Sequence, residues 1–157
     1  MNKRLLIVTF FAFLLSALHA DNVMDYEIVA AGSGTQGNYL VNVYVYSKKA
    51  KLSPEELKKC AVHGVLFKGF TSKENRVSQK PLAGNALTEQ QHSDFFNLFF
   101  GDNGTYKNYV SMTSSAYEVI KVQKKTYRIG ATLSVAKEQL RKDLEAAGII
   151  KKLSTGF

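Results

Sequence analysis

Residues 39–57, with the sequence YLVNVYVYSKKAKLSPEEL, decide the fold because they join a strand closely to the start of a helix. In the first part, three valines alternate with other residues, and this period of two is typical of a strand with one buried face. In residues 53–56 the order Ser-Pro-Glu-Glu supplies an N-cap serine, a proline at the first helical position and a capping-box glutamate. The pattern therefore predicts a helix that begins there and runs to about Phe67.

The order of strand, strand and helix occurs twice in the chain. Residues 26–31 and 39–46 alternate in polarity around a glycine-rich turn and predict a first hairpin. Residues 117–122 and 127–135 predict a second hairpin, and residues 136–147 have the apolar spacing of an amphipathic helix. Each half of the chain therefore predicts one ββα unit.

The two units also share sequence, since YEIV at residues 26–29 corresponds to YEVI at residues 117–120. One ββα unit cannot bury its apolar face alone, so two units are expected to pair. We predict an α+β domain with a four-stranded antiparallel sheet and its helices packed on one face. Residues 71–112 are then a loop-helix insertion between the units, and long insertions are often functional. The alternative is two hairpins that merely share a common amphipathic pattern.

Residues 1–20 predict a secretory signal peptide, because a basic start precedes an apolar run at residues 5–18. The run is shorter than the about 20 apolar residues that a membrane span needs. We therefore expect cleavage after Ala20 and export of a single domain, residues 21–157, without a transmembrane span or a lipid anchor. Its expected location is periplasmic or extracellular.

The positive charge is concentrated near the C-terminus. Two of the 21 Lys and Arg residues lie in the signal peptide, which leaves 19 against 13 acidic residues and a net charge of +6. Residues 121–157 hold nine basic and three acidic residues, so the whole excess lies there. Such a cluster favours anionic lipid or polysaccharide, whereas export argues against a nucleic-acid partner. The alternative is a solvated helix face. The candidate contacts are Lys124, Lys125, Lys151 and Lys152.

Catalytic and cofactor motifs are incomplete. Residues 32–37 match GxGxxG, but a strand is predicted where a dinucleotide-binding fold needs a helix, so this is a turn. Cys60 and His63 are spaced as a thiolate and base on one helix, yet Cys60 falls in the apolar stripe, where thiols serve as packing groups. His92 and Glu89 do not complete a metal-ligand set. No catalytic residue, cofactor or metal is therefore predicted.

A short helix in the insertion is expected to carry part of a binding surface. Residues 88–91, TEQQ, predict a second capping box at its start. We expect Phe95 and Phe99 to share a buried face, and Phe96 and Phe100 to face a partner.

Tyr44 and Tyr46 complete the candidate surface. They lie opposite the valine face of their strand, and tyrosine offers a flat apolar body with a polar tip for a sugar or a peptide. The alternative is that they are ordinary strand residues, since tyrosine is favoured in strands.

Residues 60–70 (CAVHGVLFKGF), with residues 79–84 (QKPLAG) and the phenylalanine-rich run 95–100, resemble small exported proteins of Gram-negative bacteria that carry no assigned activity. The resemblance implies export and carries over no catalytic residue. We predict a non-catalytic binding or assembly component of the periplasm or cell envelope, with an envelope protein or polymer as its partner. The alternatives are an envelope hydrolase that uses His63 or His92, and an anionic-surface binder that uses the basic C-terminal segment.

Overall fold

A computed structural model describes residues 25–71 and 78–152. The predicted signal peptide lies outside the described residues, as do residues 72–77 of the predicted insertion. In the described ranges, no helix combines the length and the apolar character needed to cross a membrane.

Seven strands and four α-helices make up the described part of the chain. The helix Pro54–His63 continues directly into a π-helical turn, Gly64–Lys68, and a 3₁₀ turn, Thr105–Tyr109, precedes the fifth strand. In chain order the elements are β1 (Tyr26–Ala30), β2 (Tyr39–Ser47), α1 (Pro54–His63), β3 (Phe70–Thr71), β4 (Ser78–Gln79), α2 (Ala86–Gln91), α3 (Ser93–Phe99), β5 (Val110–Met112), β6 (Glu118–Gln123), β7 (Thr126–Val135) and α4 (Lys137–Ala146).

Both predicted hairpins are present and meet at the centre of one sheet. The strand order is β4-β3-β1-β2-β7-β5, and β6 also pairs with β7. β2 and β7 are antiparallel along their lengths, from Tyr39 opposite Val135 to Ser47 opposite Tyr127. β1, β2, β7 and β6 are therefore successive antiparallel neighbours, and the glycine-rich residues 32–37 connect β1 to β2.

The prediction of a four-stranded, wholly antiparallel sheet is wrong in detail, because the observed sheet has more strands and one of its strand pairs is parallel. β3, β4 and β5 enlarge the sheet, and β3 lies parallel to β1 through Val29 and Thr71. Of the three extra strands, β4 and β5 lie in the predicted insertion, and β3 lies across its start, at Phe70–Thr71. They are only two or three residues long, so a period of two does not show in their sequence.

The helices cover one face of the sheet. The three alternating valines of β2 are at most 1% exposed, whereas Asn42, Tyr44 and Tyr46 between and beyond them are partly exposed. Leu57 of α1 and Leu140 of α4 belong to the same buried cluster as these valines. The helices α1 and α4 therefore pack on the valine face, and within the described residues the opposite, open face carries partly exposed side chains.

The predicted start of α1 is also confirmed. The Glu56 N–H donates to the Ser53 hydroxyl oxygen at 3.2 Å, and the Ser53 N–H donates to the Glu56 carboxylate at 2.7 Å. At the other end, the helical path continues through Gly64 to Lys68 and stops at Gly69, where φ is +69°. This region of φ favours glycine, so the helix ends close to the predicted residue.

The predicted capping box in the insertion is wrong. The helix α2 begins three residues earlier than expected, and its N-cap is Asn85, whose side-chain oxygen accepts from the N–H groups of Leu87 and Thr88. Asparagine is as good an N-cap as serine or threonine, but it does not fit the Ser/Thr capping-box pattern. The segment then breaks at His92 into a second helix, α3.

The expected orientation of the phenylalanines on α3 is also wrong. Phe96 is 3% and Phe100 is 8% exposed, while Phe95 is partly exposed. Positions 96, 99 and 100 have the i, i+3, i+4 spacing of one helical face, so three phenylalanines are buried together on that face. Among the apolar residues of α3, the one that faces solvent is Leu98, which is 80% exposed.

Candidate functional site

A cleft of about 640 Å³ lies between α1 and the segment formed by α2 and α3. Lys59, Cys60 and His63 line it from α1, and Tyr26 lines it from the start of β1. Lys59 and His63 are four residues apart, so they lie on the same side of the helix. The opposite wall includes Glu89, Ser93, Phe96, Asn97, Phe100 and Asp102.

His63 joins two polar side chains from different elements inside this cleft. Its Nδ1 is 2.5 Å from the Tyr26 hydroxyl, and its Nε2 is 3.3 Å from Glu89 Oε2. A neutral imidazole with its proton on Nε2 satisfies both contacts, since it accepts from the Tyr26 O–H and donates to Glu89. His63 therefore links β1 to α2, and both of its ring nitrogens are engaged.

Tyr26 is fixed from several directions. Its ring packs edge-on against His63, and Lys68 Nζ lies 3.6 Å from the ring centroid. Lys68 also donates to the backbone carbonyl of Tyr26 at 3.0 Å. Burial raises the pKa of the Tyr26 phenol, and the charges of Cys60 and Glu89 act in the same direction. The phenol therefore stays protonated and serves as a hydrogen-bond donor.

Cys60 lies in the cleft wall but is unsuited to nucleophilic chemistry. Its thiol is free and buried, with 3% of the residue exposed. Burial raises the pKa of the Cys60 thiol to about 12, and this outweighs the opposing effect of Lys68. Because the thiolate is the nucleophilic form, a thiol with this pKa is almost wholly inactive at neutral pH.

We expect iodoacetamide to alkylate Cys60 in the folded protein at pH 8 at least about a thousand-fold more slowly than in the urea-unfolded chain. The pKa rises from 9.0 to about 12, so the thiolate fraction falls by roughly that factor. The measurement is the mass of the protein with time, and a free peptide spanning Cys60 is the control. Fast alkylation of the folded protein would instead identify Cys60 as a reactive thiol.

The aromatic wall of the cleft is formed by Phe96 and Phe100. Their rings stack with centroids 6.2 Å apart, and Phe96 also packs edge-on against Phe67 at 5.0 Å. Lys59 Nζ lies 5.9 Å from the Phe100 ring centroid. The two phenylalanines are thus mostly buried in the core while their accessible edges line the cleft.

Tyr44 and Tyr46 lie on the open face of the sheet. The guanidinium of Arg128 stacks over the Tyr44 ring at 4.1 Å from its centroid. Opposite Tyr44 stands Gly130, where a Cβ atom would lie 2.8 Å from the ring, so only glycine accommodates it there without a shift. The Tyr46 hydroxyl donates to Glu27 at 3.1 Å.

The structure does not bring the predicted surface residues together. The sheet separates Tyr44 and Tyr46 from the cleft, which lies on its helical side. The candidate lysines fall on two exposed segments, the turn between β6 and β7 and the chain after α4. The residues on these segments are Lys124, Lys125, Lys151 and Lys152.

His92 and a metal site receive no support from the cleft geometry. His92 lies at the break between α2 and α3 and is not among the residues that line the cleft. Within residues 25–71 and 78–152, no three His, Cys, Asp or Glu side chains are grouped in a way that could hold a metal ion.

Sequence reasoning missed Tyr26, Glu89, Lys59 and Asp102 as parts of one site. Tyr26 and Glu89 are 37 and 26 positions from His63, so no local motif connects them.

Comparison of the chain with models of known protein families, with curated proteins and with solved structures finds no match.

Proposed function

We propose that the protein is a non-catalytic binding component whose small ligand occupies the cleft between α1 and the α2–α3 segment. The observation that carries the proposal is the fixed Tyr26–His63–Glu89 connection beside an aromatic wall. The volume of about 640 Å³ lies within the range of about 300–1,000 Å³ that is usual for small-molecule sites. Such sites combine apolar walls with a few oriented polar groups.

The geometry favours binding over the alternative of a hydrolase. A histidine that acts as a general base needs a ring nitrogen within reach of the proton it removes. His63 uses Nδ1 for Tyr26 and Nε2 for Glu89, which leaves no nitrogen for Ser93 across the cleft. Cys60 is buried and protonated, so it does not supply a nucleophile either.

The place of action follows from the predicted signal peptide. If residues 1–20 direct export, the cleft binds its ligand in the periplasm or at the cell envelope. In this proposal the open sheet face, with Tyr44 and Tyr46, is available for contact with an envelope protein or polymer.

The proposal is tested with residues 21–157 and a set of neutral aromatic compounds, with 2-phenylethanol as the reference probe, by amide chemical-shift perturbation. We expect the largest shifts at Tyr26, His63 and Glu89. Ser93→Trp should fill the cleft and weaken binding at least about ten-fold, because Ser93 lines it and is exposed. Ser111→Trp, at an exposed position of β5, is the matched control and should bind as the parent does. Equal affinity of the two variants, or shifts that map away from the cleft, would contradict the proposal.

A further inference from the structure

The wall of the cleft formed by the insertion is acidic in a chain that is otherwise basic. Residues 86–104 contain Glu89, Asp94 and Asp102 and no lysine or arginine. Glu89 and Asp102 both line the cleft. The cleft therefore has two acidic residues on one wall, although the mature chain carries a net charge of +6; Lys107 lies beside Asp102 and donates to its backbone carbonyl at 2.6 Å.

Glu89 is a positioned carboxylate. His63 holds its Oε2 at 3.3 Å, and the Glu89 side chain is 29% exposed, so solvent and ligands reach it. The His63 contact engages Oε2, so the carboxylate keeps acceptor capacity for a further donor. An acceptor with this charge and orientation is suited to an N–H donor that carries a positive charge.

The aromatic residues of the cleft support the same kind of ligand. Tyr26, Phe96 and Phe100 line it together with the two carboxylates. A cation beside aromatic rings is attracted by their quadrupoles, and the protein already places Lys68 over Tyr26 in this manner. The apolar body of a ligand would lie against the phenylalanine edges while its charged end reached Glu89.

Lys59 is the opposing charge. Among the described residues that line the cleft, it is the one lysine or arginine, and its ammonium is directed towards Phe100 at 5.9 Å. Alone it would favour a carboxylate ligand. Lys68 lies over the Tyr26 ring and Lys107 lies beside Asp102, so selectivity for a cation rests on the positioned carboxylate of Glu89 and not on the summed charge of the cleft.

We infer that the cleft selects ligands that carry a protonated amine on an apolar, aromatic-sized body, with the amine bound at Glu89. This inference rests on the proposed function, because it names the chemical class of the ligand for the same cleft.

The test compares three probes that share a phenyl body and differ in charge: 2-phenylethylamine, 2-phenylethanol and 3-phenylpropanoate. We expect the amine to bind at least about ten-fold more tightly than the carboxylate in calorimetric or NMR titrations, because it gains a charge-assisted hydrogen bond. Glu89→Gln should lower the affinity for the amine to near that for the alcohol. Asp94→Asn removes an acidic side chain of the same wall that is not among the cleft-lining residues, so it is the matched control and should have little effect.

The outcomes separate this inference from the proposed function. If the alcohol or the carboxylate binds in the cleft as tightly as the amine, the inference is overturned and the proposed function stands. If Glu89→Gln and Asp94→Asn weaken amine binding equally, the amine responds to general charge and the inference is likewise overturned. If Ser93→Trp leaves all binding unchanged, the cleft is not the site and both fail.

Discussion

Replacing Phe96 with alanine is expected to lower the free energy of unfolding by about 3–5 kcal/mol. Phe96 is 3% exposed and lies among the rings of Phe67, Phe95, Phe99 and Phe100, with centroids 5.0–6.2 Å away. Truncation removes the ring and leaves a cavity, because the neighbouring aromatic side chains are too rigid to fill the space. Since Phe96 ties α3 to the π-helical turn through Phe67, the cleft wall should also loosen.

The measurement is urea-induced unfolding followed by circular dichroism, with the change read from the midpoint at an unchanged slope. Leu98→Ala is the matched control, because Leu98 lies two residues away on the same helix and is 80% exposed. A change at such a position is expected to stay within about 0.5 kcal/mol. If Phe96→Ala lowered the free energy of unfolding as little as Leu98→Ala, Phe96 would face outwards, as the sequence pattern predicts.

The features that the sequence predicts well are those encoded by neighbouring residues. The period of two in β2 and the capping box at Ser53 concern groups within a few positions of one another, and both are present in the structure. The close packing of Gly64 against β1 is not encoded locally, because a Cβ atom there would meet side chains of residues 26 and 28. In the sequence, position 64 is only a glycine within a helical pattern.

The errors in the insertion have a physical cause. A helix of six or seven residues has fewer than two turns, so its apolar face is defined by very few positions. In α3, either Phe95 or Phe96 could share the buried face with Phe99, and the packing of Phe96 against Phe67 places Phe96 on that face. That contact links positions 29 residues apart, so tertiary packing and not local spacing determines the buried face.

The candidate site was the least predictable part. The tyrosine, histidine and glutamate that meet in the cleft come from β1, α1 and α2, and each has an ordinary local explanation in its own element. Glu89 reads as a helix-start acid, and Tyr26 reads as a strand residue. Only the packing of α1 against β1 and the insertion brings their polar atoms within 2.5 and 3.3 Å of the His63 ring.

Gly64 directly follows α1, and its lack of a side chain lets the helical segment lie close against β1. A Cβ atom at this position would lie 2.8 Å from Ile28 Cδ1 and 3.3 Å from Tyr26 Cε2. The backbone of Gly64 is ordinary helix, with φ of −62° and ψ of −44°, so other residues can adopt it without strain. The cost of a substitution is therefore one of space alone.

We expect Gly64→Val to lower the free energy of unfolding by about 1–3 kcal/mol, the usual range for overpacking a core. Gly64→Ala should cost less than Gly64→Val. Its single methyl group would meet Ile28 Cδ1 at 2.8 Å and Ile28 Cγ2 at 3.1 Å, and the gain of about 1 kcal/mol in helix propensity offsets part of the cost of these contacts. Ala146→Val, at an exposed position of α4, measures the cost of a valine in a helix without a clash and should stay below about 0.7 kcal/mol.

The same substitution links the packing of α1 to the cleft. A valine at position 64 would displace the Tyr26 ring, and the Tyr26 hydroxyl could not then keep its 2.5 Å contact with His63 Nδ1. We therefore expect Gly64→Val to move the NMR signals of the His63 ring and to weaken binding of 2-phenylethanol, whereas Ala146→Val changes neither. Loss of stability without a change in these signals would show that Tyr26 is held by Lys68 and not by the contact with α1. In that case the polar connection in the cleft would be independent of how closely the helix lies against the sheet.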